Sequence, residues 1–470
     1  MRCRYQAPPR AIVGLGILAV AVSCGRSTLP FRDLELSPCW PNCSATAGDA
    51  DQVWDDWHDY VRTLELPTCA PGTTLVITST DSVLDGGPGI TSLAEAGATL
   101  SFVEALWWSQ NIGGPFTIRF DPTVFTDVAT PHILLDASQQ NWPETIASTC
   151  IDGRNATVVI EVINPRDPLA MCSDHCGNFT LDHSQLIGVT WLTPYESRNL
   201  FGWHLAIMNG SQVAGCRLGT DGLTNTSPAT YGSFQLGGAT LGPGNAIGGG
   251  TWAVAASGAF ALVGNYLGYD PVTRTSLSVY IAARIQGPGL VADNVFLAND
   301  IQCWVSDPLN ATVRNNWFGR NPTGTTVEPS STGVSSSNIV VAAGNGVIGP
   351  DNKFIGTTRA IDVVGPVHIT RNVITGNTAL GIGVSGDSPS PPTITAATTG
   401  LITGTCTVPG TLELFSDPGD QGEQYLGSTT CDAINPWTLV TSVPRERNVT
   451  ATLTDLSNAT STFSAPFAVP

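Results

Sequence analysis

Few residues in this chain combine type and spacing in a way that could run a reaction. Proton abstraction beside a sugar carboxylate needs an Arg or Lys base and a cation that acidifies the proton. The sequence has one lysine, Lys353, and the arginines Arg284, Arg314 and Arg371 are scattered. Glycosidic hydrolysis needs two carboxyl groups flanking the scissile bond, and Asp270, Asp293, Asp300, Asp351 and Asp362 are the acids to consider. Cys172-Ser-Asp-His-Cys176, with His183 nearby, has the residue types of a zinc site. Asp182, His183 and Ser184 have those of a nucleophilic triad, which spatial proximity rather than chain order defines. Asp417, Asp420 and Glu423 are candidate Ca2+ ligands, but their spacing is not that of an EF-hand and a solvated acidic loop is favoured. The aromatics are another kind of candidate. Trp191, Tyr195, Phe201 and Trp203 cluster within 13 residues, and Trp107 adjoins Trp108. Sugars stack on such rings through their apolar faces, although the same rings can pack a loop against the fold.

The chain that must position these groups is 470 residues long, about three times a ~150-residue domain. With 50 Gly, 33 Pro and only 12% charged residues it lacks the composition of long surface helices and favours short strands joined by turns. There are 38 acids against 20 basic residues, a net charge of -18 with no basic cluster, which excludes a nucleic-acid partner. A coiled coil and a polytopic membrane protein are excluded as well. Arg2, Arg4 and Arg10 precede an apolar run from Ala11 to Val22 that is too short to span a bilayer, the pattern of an export signal. The exit, Ala21-Val22-Ser23-Cys24-Gly25, resembles a bacterial lipobox in which Cys24 becomes the lipidated first residue, and Gly25 resembles the residue that follows it in lipoproteins sent to the outer membrane. The expectation is a lipoprotein signal peptide over 1–23 and an exported chain, held at the outer membrane or cell surface by lipid and otherwise secreted. Besides Cys3 and Cys24, ten cysteines remain, most simply five disulfides in an oxidising compartment. Cys172 with Cys176, and Cys406 with Cys431, are the expected pairs.

Residues 24–72 read as a tether with an irregular cap. Thr73 to Thr80 alternates like a strand, and 99–111 switches to helical spacing with Ser101 and Glu104 placed as a capping box. Phe116-Thr-Ile-Arg-Phe-Asp-Pro follows as a strand ended by Pro122. From about 130 to 385 the text becomes short β-branched runs broken by Gly and Asn. Cys216-Arg-Leu-Gly-Thr-Asp-Gly, Asn265-Tyr-Leu-Gly-Tyr-Asp-Pro and Asn316-Trp-Phe-Gly-Arg-Asn-Pro align, with related pieces led by Asn294, Asn352 and Asn372. A unit of roughly 20 to 25 residues with loop insertions accounts for the spacing; a propeller blade needs ~40 to 50. That unit is one coil of a parallel β-helix, with aliphatic ladders inside and Asn satisfying backbone groups at a fixed corner. On this period Asp270 and Asp293 fall one coil apart, whereas Asp293 with Asp300 and Asp351 with Asp362 do not, and corner Asp is common for turn reasons alone.

Thr99-Leu-Ser-Phe-Val-Glu-Ala-Leu-Trp-Trp-Ser-Gln-Asn111 with Phe116-Thr-Ile-Arg-Phe-Asp-Pro resembles the N-terminal cap motif of bacterial right-handed β-helix surface proteins, which runs approximately Ser-Leu-Arg-Glu-Ala-Ile, then Asn, then an Ile-Arg-Phe strand. Thr149-Cys-Ile-Asp-Gly153 and Arg371-Asn-Val-Ile-Thr-Gly-Asn are similar to an early and a late coil of that family, and Phe102 and Val103 depart from it where Arg is usual. Ala283-Arg-Ile-Gln286 is similar to a polygalacturonase element, but its Asp-Asp and Gly-His-Gly companions are absent. After the stiff Ser388-Pro-Ser-Pro-Pro392, residues 387–470 resemble a small immunoglobulin-like module, including Gly422-Glu-Gln-Tyr-Leu-Gly427. The resemblance implies an all-β chain: a right-handed parallel β-helix solenoid over 73–386 with an N-terminal cap and a small C-terminal β-sandwich. The functional expectation is a monomeric, non-enzymatic surface protein, without cofactor, that binds or adheres and engages polysaccharide. A polysaccharide lyase or glycoside hydrolase on the same groove is the alternative, and a structural spacer the third reading. Fold alone does not choose among them.

Overall fold

The computed structural model describes residues 64–85, 87–126, 133–136, 142–163, 179–192, 203–219, 233–248, 252–271, 275–277, 279, 281–297, 301–307, 311–319, 337–341 and 346–470. Among them, the chain from Phe116 to Ser385 winds ten times through three parallel sheets of eleven, ten and ten strands, here sheets 1, 2 and 3 in the order each coil visits them. The extra strand of sheet 1, Thr73–Ile77, comes before the first coil. This is the all-β parallel β-helix expected from the repeats.

In-register stacking explains why short, weak strands hold. In sheet 1 one inward column runs Leu75, Ile118, Ile151, Leu186, Val213, Leu241, Leu262, Val291, Val313, Ile348, Ile369. In sheet 2 the column ends in Leu267, Phe296, Phe318, Phe354 and Ile374. Its three Phe rings stack at 4.7 and 4.9 Å between centroids, 5° from parallel. Each coil alone buries too little to fold, and its neighbours complete the core.

From Ile118 onward, successive rungs of sheet 1 are 21 to 35 residues apart. The shortest is the bare coil of the expected unit, and most of the excess sits at one place. The connections from sheet 1 to sheet 2 and from sheet 3 to sheet 1 are short in the later coils. Five of the six longest lie between sheets 2 and 3, after Ile163, Leu192, Leu218, Leu267 and Gly319; the other follows Phe120, between sheets 1 and 2 in the first coil.

The corner between sheets 1 and 2 is built the same way in coil after coil. A residue in the left-handed region (Gly244, Gly264, Asp293, Asn315, Asp351 or Arg371) precedes a buried Asn: Asn245, Asn265, Asn294, Asn316, Asn352, Asn372. Each Asn amide from 245 to 352 donates to the next Asn Oδ1 at 2.8 to 3.0 Å. All six also donate to a backbone carbonyl one coil back, as Asn294 does to Leu262 at 2.8 Å. Cys216 occupies this position one coil earlier. Its amide donates to Asn245 Oδ1 at 2.9 Å, and its thiol lies 3.5 Å from the Leu186 carbonyl that an Asn amide would serve.

Both ends of the core are closed. At the start, helix α1 (Leu93–Ala96) precedes α2 (Phe102–Ile112), whose Ser101–Glu104 capping box forms as expected. Phe102, Val103, Ala105 and Leu106 of α2 are buried in the solenoid core. Gln110 exchanges hydrogen bonds with Ala147 at the free edge of sheet 3, donating at 3.3 Å and accepting at 3.0 Å. At the other end, antiparallel sheets of three and four strands form a small sandwich with its own core around Ile402, Leu412, Leu414, Trp437 and Leu453. The module packs directly on the last coil. The Asn377 side-chain amide donates to Gln421 Oε1 and Gln421 Nε2 donates to the Asn377 backbone carbonyl, Glu413 accepts from Thr370 and the Arg371 amide, and the Thr460 hydroxyl accepts from the Ile369 amide. Exposed strand edges invite pairing with other chains, and here the sandwich engages the last strands of sheets 1 and 2.

Cysteine pairing departs from the expected five bridges. Cys406–Cys431 forms as expected, and Cys69 pairs with Cys150. Cys216 and Cys303 are free, because both point into the core on rungs where no second cysteine stands. Cys172 and Cys176 lie outside the described residues. Burial pushes both free thiols up to about 12. Neither is expected to react with iodoacetamide at pH 8 in the native protein, whereas both are expected to label in denaturant without reductant, as read by peptide mapping.

Candidate functional site

The charged residues weighed in the sequence are spread around the solenoid. Lys353 projects outward from sheet 2 and lies over the Trp317 ring, 5.4 Å from its centroid. Asp270 is not stacked on Asp293. It belongs to a hairpin, Tyr269–Asp270 with Thr275–Ser276, and is fully buried against Arg217 at 3.3 Å. Asp362 pairs with Arg359 at 3.2 Å. Asp300 lies outside the described residues. The Ser184 hydroxyl is no nucleophile: it is buried at the corner between sheets 3 and 1, where it donates to Ile146 O and accepts from the Thr149 amide, while His183 stands exposed beside Asp182.

Asp293 and Asp351 do share a corner. They occupy the same left-handed position two coils apart, with Asn315 between them. Asn315 donates to Asp293 Oδ1, and burial raises the Asp293 carboxyl above its ordinary range. Burial raises Asp351 too, against the opposing pull of Arg371, Lys353 and Arg314. By contrast the Arg154 guanidinium, 2.8 Å from Asp152, holds that carboxyl low. A raised native pKa means the folded protein binds a proton more readily than the unfolded chain. Asp293 therefore loses stability for the fold as pH rises from the unfolded carboxyl value through its folded one. Asp293→Asn keeps the acceptor and tolerates the left-handed backbone. Its unfolding free energy is expected to equal that of the parent at pH 3 and to exceed it at pH 7, by about 1.4 kcal/mol for each unit by which burial lifts the carboxyl. Urea titrations at the two pH values measure this.

The aromatic candidates fare differently from one another. Trp191 offers no face to a ligand. It is fully buried in the sheet 2 column between Ile160 and Leu218, with Phe179 4.8 Å away, because the middle residue of Thr190-Trp191-Leu192 points inward. Tyr195 and Phe201 lie outside the described residues, on the long connection after Leu192. Trp203 opens the strand that ends this connection, and its side chain is not described. Trp107 and Trp108 pack half-buried against the core. Among the described residues no group of three His, Cys, Asp or Glu side chains is placed to hold a metal. Of the suggested Ca2+ ligands, Glu423 is engaged by Arg447 and Asp417 is buried. Cys24 lies outside the described residues.

What the fold concentrates in one place is connection length. The core columns are uniform, and five of the six longest connections leave from the corner between sheets 2 and 3. In repeat proteins per-repeat insertions on one side are often the binding side, because loops vary freely on a rigid frame. No protein-family model matches the chain, and a search of curated proteins finds no match.

Proposed function

We propose that this is an exported surface protein, lipid-anchored through Cys24, that binds polysaccharide along the edge where its long connections gather. The fold resembles that of bacterial surface β-helices, with an N-terminal cap and an immunoglobulin-like module at the end. The observation that carries the reading is the placement of five of the six longest connections at one corner of the solenoid. Tyr195 and Phe201, on one of those connections, are the rings proposed to stack on sugar. Local pairing of Asp152, Asp270, Asp362 and Glu423 with arginines also favours binding over turnover.

Asp293 and Asp351, at one corner with raised carboxyls, support the second reading, a lyase or hydrolase. Incubating the full chain with acidic and neutral polysaccharides separates the two. Retention on polymer without new reducing ends or unsaturated uronides is the expected result. Turnover with any polymer would replace the binding reading and direct mutagenesis to Asp293 and Asp351. For the anchor, Cys24→Ser is expected to move the protein from the membrane to the soluble fraction.

A further inference from the structure

The outer face of sheet 2 carries apolar side chains that the solenoid core does not use. Residues one position before the inward column face outward, and in four successive coils they are Ala246, Tyr266, Val295 and Trp317. None is more than 4% exposed and Val295 is fully buried, yet none belongs to the core. Ala292, facing outward at the end of sheet 1 in the same coil as Val295, is fully buried too. Apolar surface that faces away from the core is withdrawn from water only where another part of the chain lies on it. The Tyr269 ring, 6.4 Å from Tyr266, and Lys353, over Trp317, supply some of that cover. Along the neighbouring corner the cover is the chain that precedes the first coil. Leu66 lies at Gly215 and Gly244, and Leu64 lies one coil further on at Gly264, two residues before Tyr266. Followed backwards from Cys69, the chain is climbing towards Ala292 and Val295.

We infer that this face is the docking surface of the chain's own segment from Val53 to Thr63, laid on it as an amphipathic helix. Residues 49–470 form one compact unit, so the segment stays with the solenoid. Its spacing is helical. Val53, Trp57, Tyr60, Val61 and Leu64 recur at intervals of three and four with Trp54 at their flank, while Asp55, Asp56, Asp59 and Arg62 fall on the other side. Asp49, with Gln52 three residues later, is a helix start signal. A helix from Gln52 to Arg62 is ~16 Å long, enough to cross the three coils from Tyr266 to Trp317 at ~4.8 Å per coil. Docked this way, aromatic and branched side chains meet Tyr266, Val295 and Trp317, and the aspartates stay in water. The connection after Gly319, which starts close to Trp317, has no such stripe: between 320 and 336 its aliphatic residues besides proline are Val327 and Val334. Joined to the anchor reading, the docked segment shortens the tether between Cys24 and the solenoid to residues 25–48.

The test is hydroxyl-radical footprinting of the full chain and of Trp57→Asp, a substitution outside the solenoid, read by mass spectrometry. Tyr266 and Trp317 are expected to oxidise slowly in the parent and at least tenfold faster in the variant, while their inward neighbours Phe296 and Phe318 stay protected in both. Fast oxidation of Tyr266 and Trp317 in the parent would show the face to be bare and overturn the inference. Protection that survives Trp57→Asp would assign the cover to another part of the chain and overturn it as well. Should Phe296 and Phe318 also quicken in the variant, the fold has opened, and carbodiimide coupling of the parent decides. Lys353, the one lysine of the chain, lies over Trp317, so a docked segment brings aspartates within its reach. An amide from Lys353 to Asp55, Asp56 or Asp59 supports the docking, and coupling that leaves out all three opposes it.

Discussion

Asn316→Ala is expected to destabilise the protein by about 4 kcal/mol, more than an ordinary core truncation of similar size. The side chain is nearly fully buried and makes five hydrogen bonds. Its amide donates to Val291 O at 2.9 Å, Arg314 O at 2.8 Å and Asn352 Oδ1 at 3.0 Å. Its oxygen accepts from the Asn294 amide at 3.0 Å and from Asn294 Nδ2 at 2.9 Å. Alanine removes one partner from each pair and leaves the other without water to replace it. Each orphaned group costs ~1–3 kcal/mol, and partial relaxation keeps the sum below the simple total. Asn316→Asp should be at least as damaging at neutral pH, because a second acceptor then faces two carbonyls in a buried corner. The last rung provides an internal control. Asn372 donates to Ile348 O and accepts from Asn352, with no further Asn above it, so Asn372→Ala should cost less than Asn316→Ala. Guanidinium unfolding followed by far-ultraviolet circular dichroism measures both. A loss below 1 kcal/mol for Asn316→Ala would mean that the ladder follows from the fold rather than holding it together.

The ladder could be read from sequence because it repeats at a corner where no insertion intervenes. Asn265, Asn294, Asn316, Asn352 and Asn372 each open a short strand with an aromatic or aliphatic residue two positions on, and that regularity gave both corner and core column. The capping helix was legible for a similar local reason, since Ser101 and Glu104 are three residues apart in one turn. Other features depended on quantities that local pattern does not carry. Trp191 sits in a three-residue strand, too short to show which parity faces inward, and a one-residue shift exchanges core for surface. Cys303 is turned inward on the seven-residue strand Ile301–Asp307, although export argued for a disulfide. Asp293 and Asp351 share a corner, but the long connection after Gly319 separates them in sequence and hides the relation. In the sandwich, residues 411, 430 and 454 stand side by side, which only antiparallel register brings about.

Removing the Cys69–Cys150 bridge is expected to cost about 4.5 kcal/mol, the loop-closure value for the 81 residues it spans. The bridge also fixes a strap. From Cys69 back to Leu64 the chain runs along the corner between sheets 1 and 2, with Leu66 against Gly215 and Gly244 and Leu64 against Gly264. A Cβ at Gly264 would lie 2.9 Å from Leu64, and its φ of +67° disfavours any side chain there, so strap and glycines fit each other. Leu64 and Leu66 are half-buried, and Arg154 reaches the Pro67 carbonyl at 3.4 Å, contacts too few to hold six residues in place without the covalent tie. Cys69→Ser is therefore expected to act at two levels. The denaturation midpoint falls, and the strap becomes a site of proteolysis under conditions where the parent chain is resistant, as mass spectrometry of a brief digest would show. Because the solenoid is quasi-linear, cooperativity links each coil mainly to its neighbours. Hydrogen exchange should consequently quicken in the early coils, around Ile151 and Leu186, and remain unchanged around Ile348 and Ile369. Faster exchange along the whole stack would instead show that the bridge stabilises the solenoid as one cooperative unit.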